Sequence, residues 1–231
     1  EVKTGYGLKP DLELKQLQAI QRLRKELVVP IYATVLAHVV PRNEQADRAA
    51  YVEKFCGDVM EPAASEGIAS FCDVFVERGA FTRDEAHVIA QRATSCGLKM
   101  KLHVDQLHDG DGAVMAAELG ALSADHLEFT SPEGARALAE AGVVATILPG
   151  CGLFLGGDPW PNGRALRDSG CEVGIATDCN PGSSMVMDLA LCATLAATQC
   201  GLSLEESLWG ITRGGARALG LSDRGTLSPG E

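Results

Sequence analysis

The sequence is short of positive charge. Over 231 residues, 20 Lys and Arg stand against 31 Asp and Glu, for a formal net charge of −11. A nucleic-acid-binding domain carries a basic face or stripe, so nucleic acid is not an expected partner. No run of about 18 apolar residues occurs, so no membrane helix and no membrane partner are expected. No secretory leader is legible either. The eight cysteines contain no Cys-x-x-Cys pair. In a chain with ample core this points to free, mostly buried thiols in a cytoplasmic protein, not to a disulfide framework or a structural zinc. Gly110, Gly112, Gly150, Gly152, Gly156 and Gly157 match neither a Walker loop nor a Gly-x-Gly-x-x-Gly helix start, so they read as loop glycines. The absence with the most consequence is His-x-His. No such pair occurs anywhere in the chain.

What the sequence does have is a repeated pattern. Apolar residues make up 46% and charged residues 22%, as in a folded globular protein. Short apolar, β-branched runs occur at Glu1–Lys3, Ile31–Ala37, Cys72–Val76, Met100–Val104, Ala124–Leu127, Val143–Leu148 and Glu172–Thr177. Their C-terminal ends recur every 21 to 39 residues, the length of a strand-plus-helix unit. Between them lie helical signals. Leu17, Ile20, Leu23 and Leu27 share one face of a helix over Asp11–Leu27, with Arg22, Arg24 and Lys25 on the solvent side. Thr82 with Glu85 and Ser203 with Glu206 form capping boxes, Gly97 is a C′ stop, and Ser131-Pro132 opens another helix. Ala113–Leu122 reads as a small, apolar helix suited to close packing.

Alternating strands and helices imply parallel strands with right-handed crossovers. An open sheet would gather its polar residues at one switch point, whereas a barrel spreads them over the C-terminal ends of many strands. Tyr6, His38, Glu77, His103, His126 and Asp178 end strand after strand, which favours the barrel. The count is nonetheless seven strands, against the eight of a complete barrel.

Three of the five histidines, His38, His103 and His126, close such strands, where alternation sends them to one face. Singly, each could be a satisfied core residue. Together they suggest chemistry, since imidazole is the commonest metal ligand and titrates nearest neutrality. Asp178 follows the strand Glu-Val-Gly-Ile-Ala-Thr and precedes the turn Cys179–Ser184. It reads either as an N-cap or as a metal ligand and proton acceptor. A divalent ion lowers the pKa of a coordinated water to about 7 but needs three or more protein ligands. His103 and Asp178 supply two. His87 and His108 read as surface and loop residues.

Several segments resemble the imidazolonepropionase family of metal-dependent amidohydrolases. They are Val-Lys-Thr-Gly-Tyr-Gly-Leu (2–8), Leu-Ala-His-Val-Val-Pro (36–41), Asp-Val-Phe-Val-Glu (73–77) and Lys-Leu-His-Val-Asp-Gln (101–106). They continue with Ala-Glu-Leu-Gly-Ala-Leu-Ser-Ala-Asp-His-Leu-Glu (117–128), Ile-Leu-Pro-Gly (147–150) and Ala-Thr-Asp-Cys-Asn-Pro-Gly-Ser-Ser (176–184). The resemblance implies an amidohydrolase-type (β/α)8 barrel and hydrolysis of 4-imidazolone-5-propanoate to N-formimidoyl-L-glutamate in histidine degradation. It makes His103 and Asp178 ligands of one zinc or iron ion, and Asp178 and His126 catalytic. Tyr6, His38, Gln106, Asn180, Gly182 and Ser183 become contacts to a small-molecule substrate.

Departures accompany the resemblance. Thr4 replaces a more usual Ser, and Leu107–Gly112 and Arg213–Ala216 differ from the family pattern. The family also carries an earlier His-x-His strand and a small β-sandwich, to which its chain returns after the region of Gly225–Glu231. The chain therefore reads as strands two to eight of the barrel, a partial catalytic domain over residues 1–231, with Glu1 opening the second strand and little activity expected of it alone. Two alternatives stand beside this. One is another cyclic amidohydrolase or deaminase of the superfamily. The other is a non-catalytic barrel acting as a binding protein. A homodimer is the common default for a soluble oligomer.

Overall fold

Strand and helix alternate along the chain as the apolar runs require. A computed structural model describes residues 1–157 and 159–227, and the chain divides into two units, Glu1–His103 and Val104–Glu231. The sequence-predicted tail segment from Ser228 to Glu231 lies outside the described residues.

The first unit carries β1 (Val2–Lys3), α1 (Pro10–Glu26), β2 (Ala33–Ala37), α2 (Arg48–Phe55), α3 (Glu61–Ser65), β3 (Ala69–Val76), α4 (Arg83–Ser95) and β4 (Lys99–Val104), whose last residue passes to the second unit. Its strands lie in chain order, and the pairings of β1 with β2 and of β2 with β3 are parallel. All five residues of β2 are buried, as in a strand covered on both faces. A wide π-helical turn, Cys56–Met60, joins α2 to α3. The Thr82–Glu85 capping box is present, with both hydrogen bonds made, and Gly97 takes the left-handed conformation at φ +77° that ends α4.

The second unit carries α5 (Gly112–Glu118), β5 (Ser123–His126), α6 (Pro132–Ala141), β6 (Val144–Ile147), α7 (Pro149–Leu155), α8 (Gly163–Asp168), β7 (Val173–Ile175), α9 (Leu189–Gln199), α10 (Leu204–Trp209) and α11 (Gly215–Ala218). Strands β5, β6 and β7 are neighbours in that order and run parallel. Ser131 caps α6 at the Gly134 N–H, and Ser203 with Glu206 forms the expected capping box on α10. The helix opened by Ser203 continues through a π-helical turn, Gly210–Gly214, into α11. That turn lies so close to β7 that a Cβ on Gly214 would sit 2.1 Å from the Val173 carbonyl oxygen. Only glycine fits there, which gives the unusual Arg213–Ala216 segment a steric reason.

Three helix expectations need correction. On α1, Leu17 and Ile20 are buried, but Leu23 and Leu27 are exposed. Glu13 is buried instead, because its carboxylate accepts hydrogen bonds from the Gly5 N–H (2.7 Å) and the Leu8 N–H (2.8 Å). Arg24 does not face solvent freely. Its guanidinium donates to the Ile31 carbonyl at 2.8 Å and to the Ile68 carbonyl at 2.7 Å. Finally, α5 ends at Glu118, four residues before Leu122, with Gly120 left-handed behind it at φ +59°.

The eight cysteines are free thiols, six of them buried. Burial pushes Cys56, Cys171 and Cys192 up to about 11 and Cys200 up to about 12. Among the described residues no helix is long and apolar enough to cross a membrane.

Candidate active site and metal centre

In the first unit the C-terminal ends of the strands present a line of rings. Tyr6 follows β1, His38 follows β2, Phe75 lies near the end of β3 and His103 near the end of β4. Ring centroids are 4.6 Å apart for Tyr6–His38, 5.9 Å for His38–Phe75 and 6.3 Å for Phe75–His103. His38 Nδ1 lies 3.2 Å from the Gly5 carbonyl oxygen. A carbonyl only accepts, so Nδ1 carries a proton and Nε2 is the acceptor of the neutral ring.

His103 Nδ1 lies 3.1 Å from Asp73 Oδ1 and 3.0 Å from Asp73 Oδ2. Asp73 is fully buried, and its Oδ2 also accepts from Lys3 Nζ at 2.5 Å. Beyond it, the Glu1 carboxylate meets Lys3 at 3.4 Å and the buried Lys101 ammonium at 2.7 Å. A chain of alternating charges therefore runs Lys101–Glu1–Lys3–Asp73 and ends on the His103 Nδ1. A carboxylate on Nδ1 fixes the tautomer and offers Nε2 as a ligand, the usual arrangement of metal-bound histidine. The donor chemistry of His103 thus fits a divalent ion.

In the second unit the end of β5 is sharply turned. His126 and Leu127 are both left-handed, at φ +86° and +70°. For non-glycine residues this costs about 1–3 kcal/mol each, and it concentrates at functional sites. The turn is held by the Leu127 N–H to the Val104 carbonyl (3.2 Å) and the Phe129 N–H to the Asp105 carbonyl (2.8 Å). It buries His126 and sets its Nδ1 at 3.4 Å from Glu128 Oε1. Burial pushes the His126 imidazole down. The Glu128 carboxylate, the Cys151 thiol and Asp178 outweigh burial, so its pKa is raised well above the ordinary histidine value.

Asp105 organises the loop after β4. Its buried carboxylate accepts from the Gly110, Gly112 and Ala113 N–H groups at 3.2, 2.9 and 3.0 Å, and from the Thr130 hydroxyl at 3.0 Å. Gly112 is required there, since a Cβ would meet the Val104 side chain at 2.5 Å. Gln106, next to Asp105, donates its Nε2 hydrogen to the Cys151 sulfur at 3.5 Å.

Asp178 lies beyond β7 in the left-handed region, at φ +51°. Its Oδ2 accepts from the Ser183 hydroxyl at 3.2 Å, and its carbonyl oxygen accepts from Asn180 Nδ2 at 2.6 Å. Asn180 Oδ1 accepts from the Gly182 N–H (2.8 Å) and the Ser183 N–H (2.7 Å), an Asx turn that rigidifies the segment. The backbone donors expected to hold a substrate tail are thus engaged with Asn180.

Of the expected residues, Tyr6, His38 and His103 belong to the first unit, and Gln106, His126, Asp178, Asn180, Gly182 and Ser183 to the second. The structure adds Asp73, Asp105, Glu128 and Cys151. Asp73 carried a faint signal, a charge inside the apolar strand Phe-Cys-Asp-Val-Phe-Val. Asp105 sits beside glycines that need a carboxylate to hold their N–H groups. Glu128 and Cys151 carried no signal.

No protein-family model matches the chain. Curated relatives include the imidazolonepropionase of Myxococcus xanthus, 44% identical over the whole chain, and that of Paracoccus denitrificans, 45% identical over the whole chain. The chain spans 55% and 58% of those relatives' lengths. Similar solved structures include a triazine hydrolase variant, with TM-score 0.66 and 20% identity over 93% of this chain and 54% of that one. An adenosine deaminase from Xanthomonas campestris with bound zinc has TM-score 0.64 and 18% identity over 95% of this chain and 53% of that one. An amidohydrolase from a Sargasso Sea sample has TM-score 0.64 and 20% identity over 89% of this chain and 51% of that one. The fold is therefore of the amidohydrolase barrel type, and the sequence resemblance to the imidazolonepropionase family holds along the whole of this chain.

Proposed function

We propose that this chain is the catalytic part of an imidazolonepropionase, a cytoplasmic hydrolase that opens the ring amide of 4-imidazolone-5-propanoate to give N-formimidoyl-L-glutamate. The observation that carries the reading is the identity of 44–45% to imidazolonepropionases over every residue of the chain. On this reading residues 1–231 supply strands two to eight of the barrel.

His103 and Asp178 are the ligands this chain offers to one divalent ion, zinc or iron, both of which accept imidazole and carboxylate. The ion would act as a Lewis acid on the ring carbonyl and acidify a water. Asp73 holds His103 by Nδ1, so that Nε2 is the donor. Asp178 takes the proton of the attacking water on its carboxylate and returns it to the leaving ring nitrogen, so the proton count balances. His126, whose protonated form the Glu128 carboxylate favours, donates a hydrogen bond to the oxygen that gains charge. Such a donor is worth about 2.7–4 kcal/mol in comparable sites. Tyr6 and His38 stack on or bond the imidazolone ring, and Gln106 orients it. The Asx turn of Asn180 offers the Gly182 and Ser183 N–H groups to the propionate in exchange for the Asn180 side chain.

The test is loss of imidazolone absorbance on incubation with the purified, metal-loaded enzyme to which this chain contributes strands two to eight, since the chain alone is expected to turn over little. Asp178→Ala and His126→Ala should each lower turnover by about 100-fold or more, the range of a lost proton carrier or oxyanion donor. Full activity in Asp178→Ala overturns the mechanism. Preference for another cyclic amide in a substrate panel would favour a different amidohydrolase.

A further inference from the structure

The second unit contains a group of donors that the proposed reaction does not need as a set. His126, Glu128 and Cys151 offer an imidazole nitrogen, a carboxylate oxygen and a thiol sulfur that all lie within 4.8 Å of one another. His126 and Cys151 are each 2% exposed, and the Glu128 side chain is 6% exposed. The two successive left-handed residues, His126 and Leu127, fold the chain so that His126 and Glu128 converge. Cys151, in the first turn of α7, meets them.

One atom in this group is left unsatisfied. Glu128 Oε2 is buried and has no hydrogen-bond partner. A buried polar atom without a partner costs about 1–3 kcal/mol, and more when charged. Its sister oxygen is engaged only at 3.4 Å, by His126. A cation at the centre of the group would satisfy it.

We propose that His126, Glu128 and Cys151 form a second metal site, selective for a thiophilic divalent ion and sharing no ligand with the His103 and Asp178 pair. Sulfur, imidazole and carboxylate are the three zinc donors of proteins, and three protein ligands leave a fourth position open. Bonds of about 2.0–2.3 Å to a tetrahedral ion put donors about 3.3–3.8 Å apart, so the group closes on an ion by small side-chain shifts. Thiolate softness favours zinc or cadmium over magnesium or calcium. Binding needs a thiolate and a neutral imidazole, so the Cys151 thiol proton and the extra proton of a charged His126 both pass to solvent. The resulting thiolate and the Glu128 carboxylate together balance the ion's two positive charges. The Gln106 amide hydrogen that points at Cys151 sulfur supports the thiolate, because sulfur is the acceptor in that contact. An ion held there occupies His126 and therefore inhibits hydrolysis. This last consequence alone rests on the function proposed above.

The experiment titrates the protein with cadmium and follows the ultraviolet thiolate-to-cadmium charge-transfer band. The expected result is a saturable band that is abolished in Cys151→Ser and retained in Cys179→Ser, whose exposed thiol lies beside Asp178. The band should also survive His103→Ala, which separates this site from the metal of the proposed reaction. Glu128→Gln should weaken cadmium binding by at least the roughly 10–100-fold that losing even an outer partner costs. Circular dichroism checks that Cys151→Ser is folded, and if it is not, Glu128→Gln decides. No band, a band that survives in folded Cys151→Ser, or unchanged affinity in Glu128→Gln overturns the proposal.

Discussion

Asp73 grips the imidazole of His103 from across thirty residues of chain, with both carboxylate oxygens within 3.1 Å of Nδ1. The same carboxylate is fully buried and bonded to Lys3, so it cannot swing away without leaving an ammonium behind. The pair holds the His103 imidazole in one tautomer and one orientation. Asp73→Asn should therefore weaken metal binding about 10–100-fold while leaving the fold in place. The measurement is zinc affinity by competition with a chromophoric chelator, made in a Cys151→Ser background so that only one site is read. Unchanged affinity would show that His103 does not depend on its carboxylate.

Asp105 has a structural task of the same kind. Four donors, the Gly110, Gly112 and Ala113 N–H groups and the Thr130 hydroxyl, converge on one buried carboxylate. Asp105→Ala leaves several of them unpaired at once. The expected loss is about 3 kcal/mol or more, given about 1–3 kcal/mol for each buried group left unsatisfied. Urea unfolding should show a lower midpoint at unchanged slope. A loss within about 0.5 kcal/mol, the size of an ordinary surface substitution, would mean that water replaces the carboxylate.

The seven strands and the caps at Thr82, Ser131 and Ser203 were legible in the sequence because their causes are local. A short apolar, β-branched run, a Ser or Thr with Glu three residues on, and a Pro at the first helical position all act within a few residues. The strand-end positions of Tyr6, His38, His103 and His126 were legible for the same reason. The grip of Asp73 on His103 was not, because it depends on which strands are neighbours and in what register. The convergence of His126 and Glu128 depends on two left-handed non-glycine residues, which no propensity announces. On α1 the apolar spacing named four leucine and isoleucine positions, but burial of the Glu13 carboxylate by the Gly5 and Leu8 N–H groups turns the helix so that only two of them are covered.

That rotation of α1 has a measurable consequence. Leu17 has no exposed surface, whereas Leu23 is 42% exposed. Leu17→Ala should cost about 2–5 kcal/mol, the transfer term plus a cavity. Leu23→Lys should cost less than about 0.5 kcal/mol, as for a surface site. Equal losses in urea unfolding would restore the four-residue face read from the spacing alone.

Glu206 ties α10 to α8 and should make the acid limb of stability salt-sensitive. Its carboxylate caps the Ser203 N–H at 2.8 Å and takes both Arg164 amino groups, at 2.9 and 3.0 Å. The Arg164 guanidinium, helped by the Ser203 N–H, pulls its pKa from 4.5 down to about 2. A depressed carboxyl pKa means that the folded state holds the proton less tightly than the unfolded chain. The stability it contributes is complete above the unfolded value of 4.5 and is lost as pH falls through the folded value of about 2. The group is close to solvent, so screening limits the effect to about 1 kcal/mol or less. Glu206→Gln should therefore narrow its stability deficit between pH 4.5 and 2, because the wild-type protein loses the interaction there as well. Molar salt should shrink the deficit at neutral pH. The measurement is the urea midpoint of both proteins across that range, and a deficit that stays constant down to pH 2 would show that the carboxylate's charge contributes nothing at this contact.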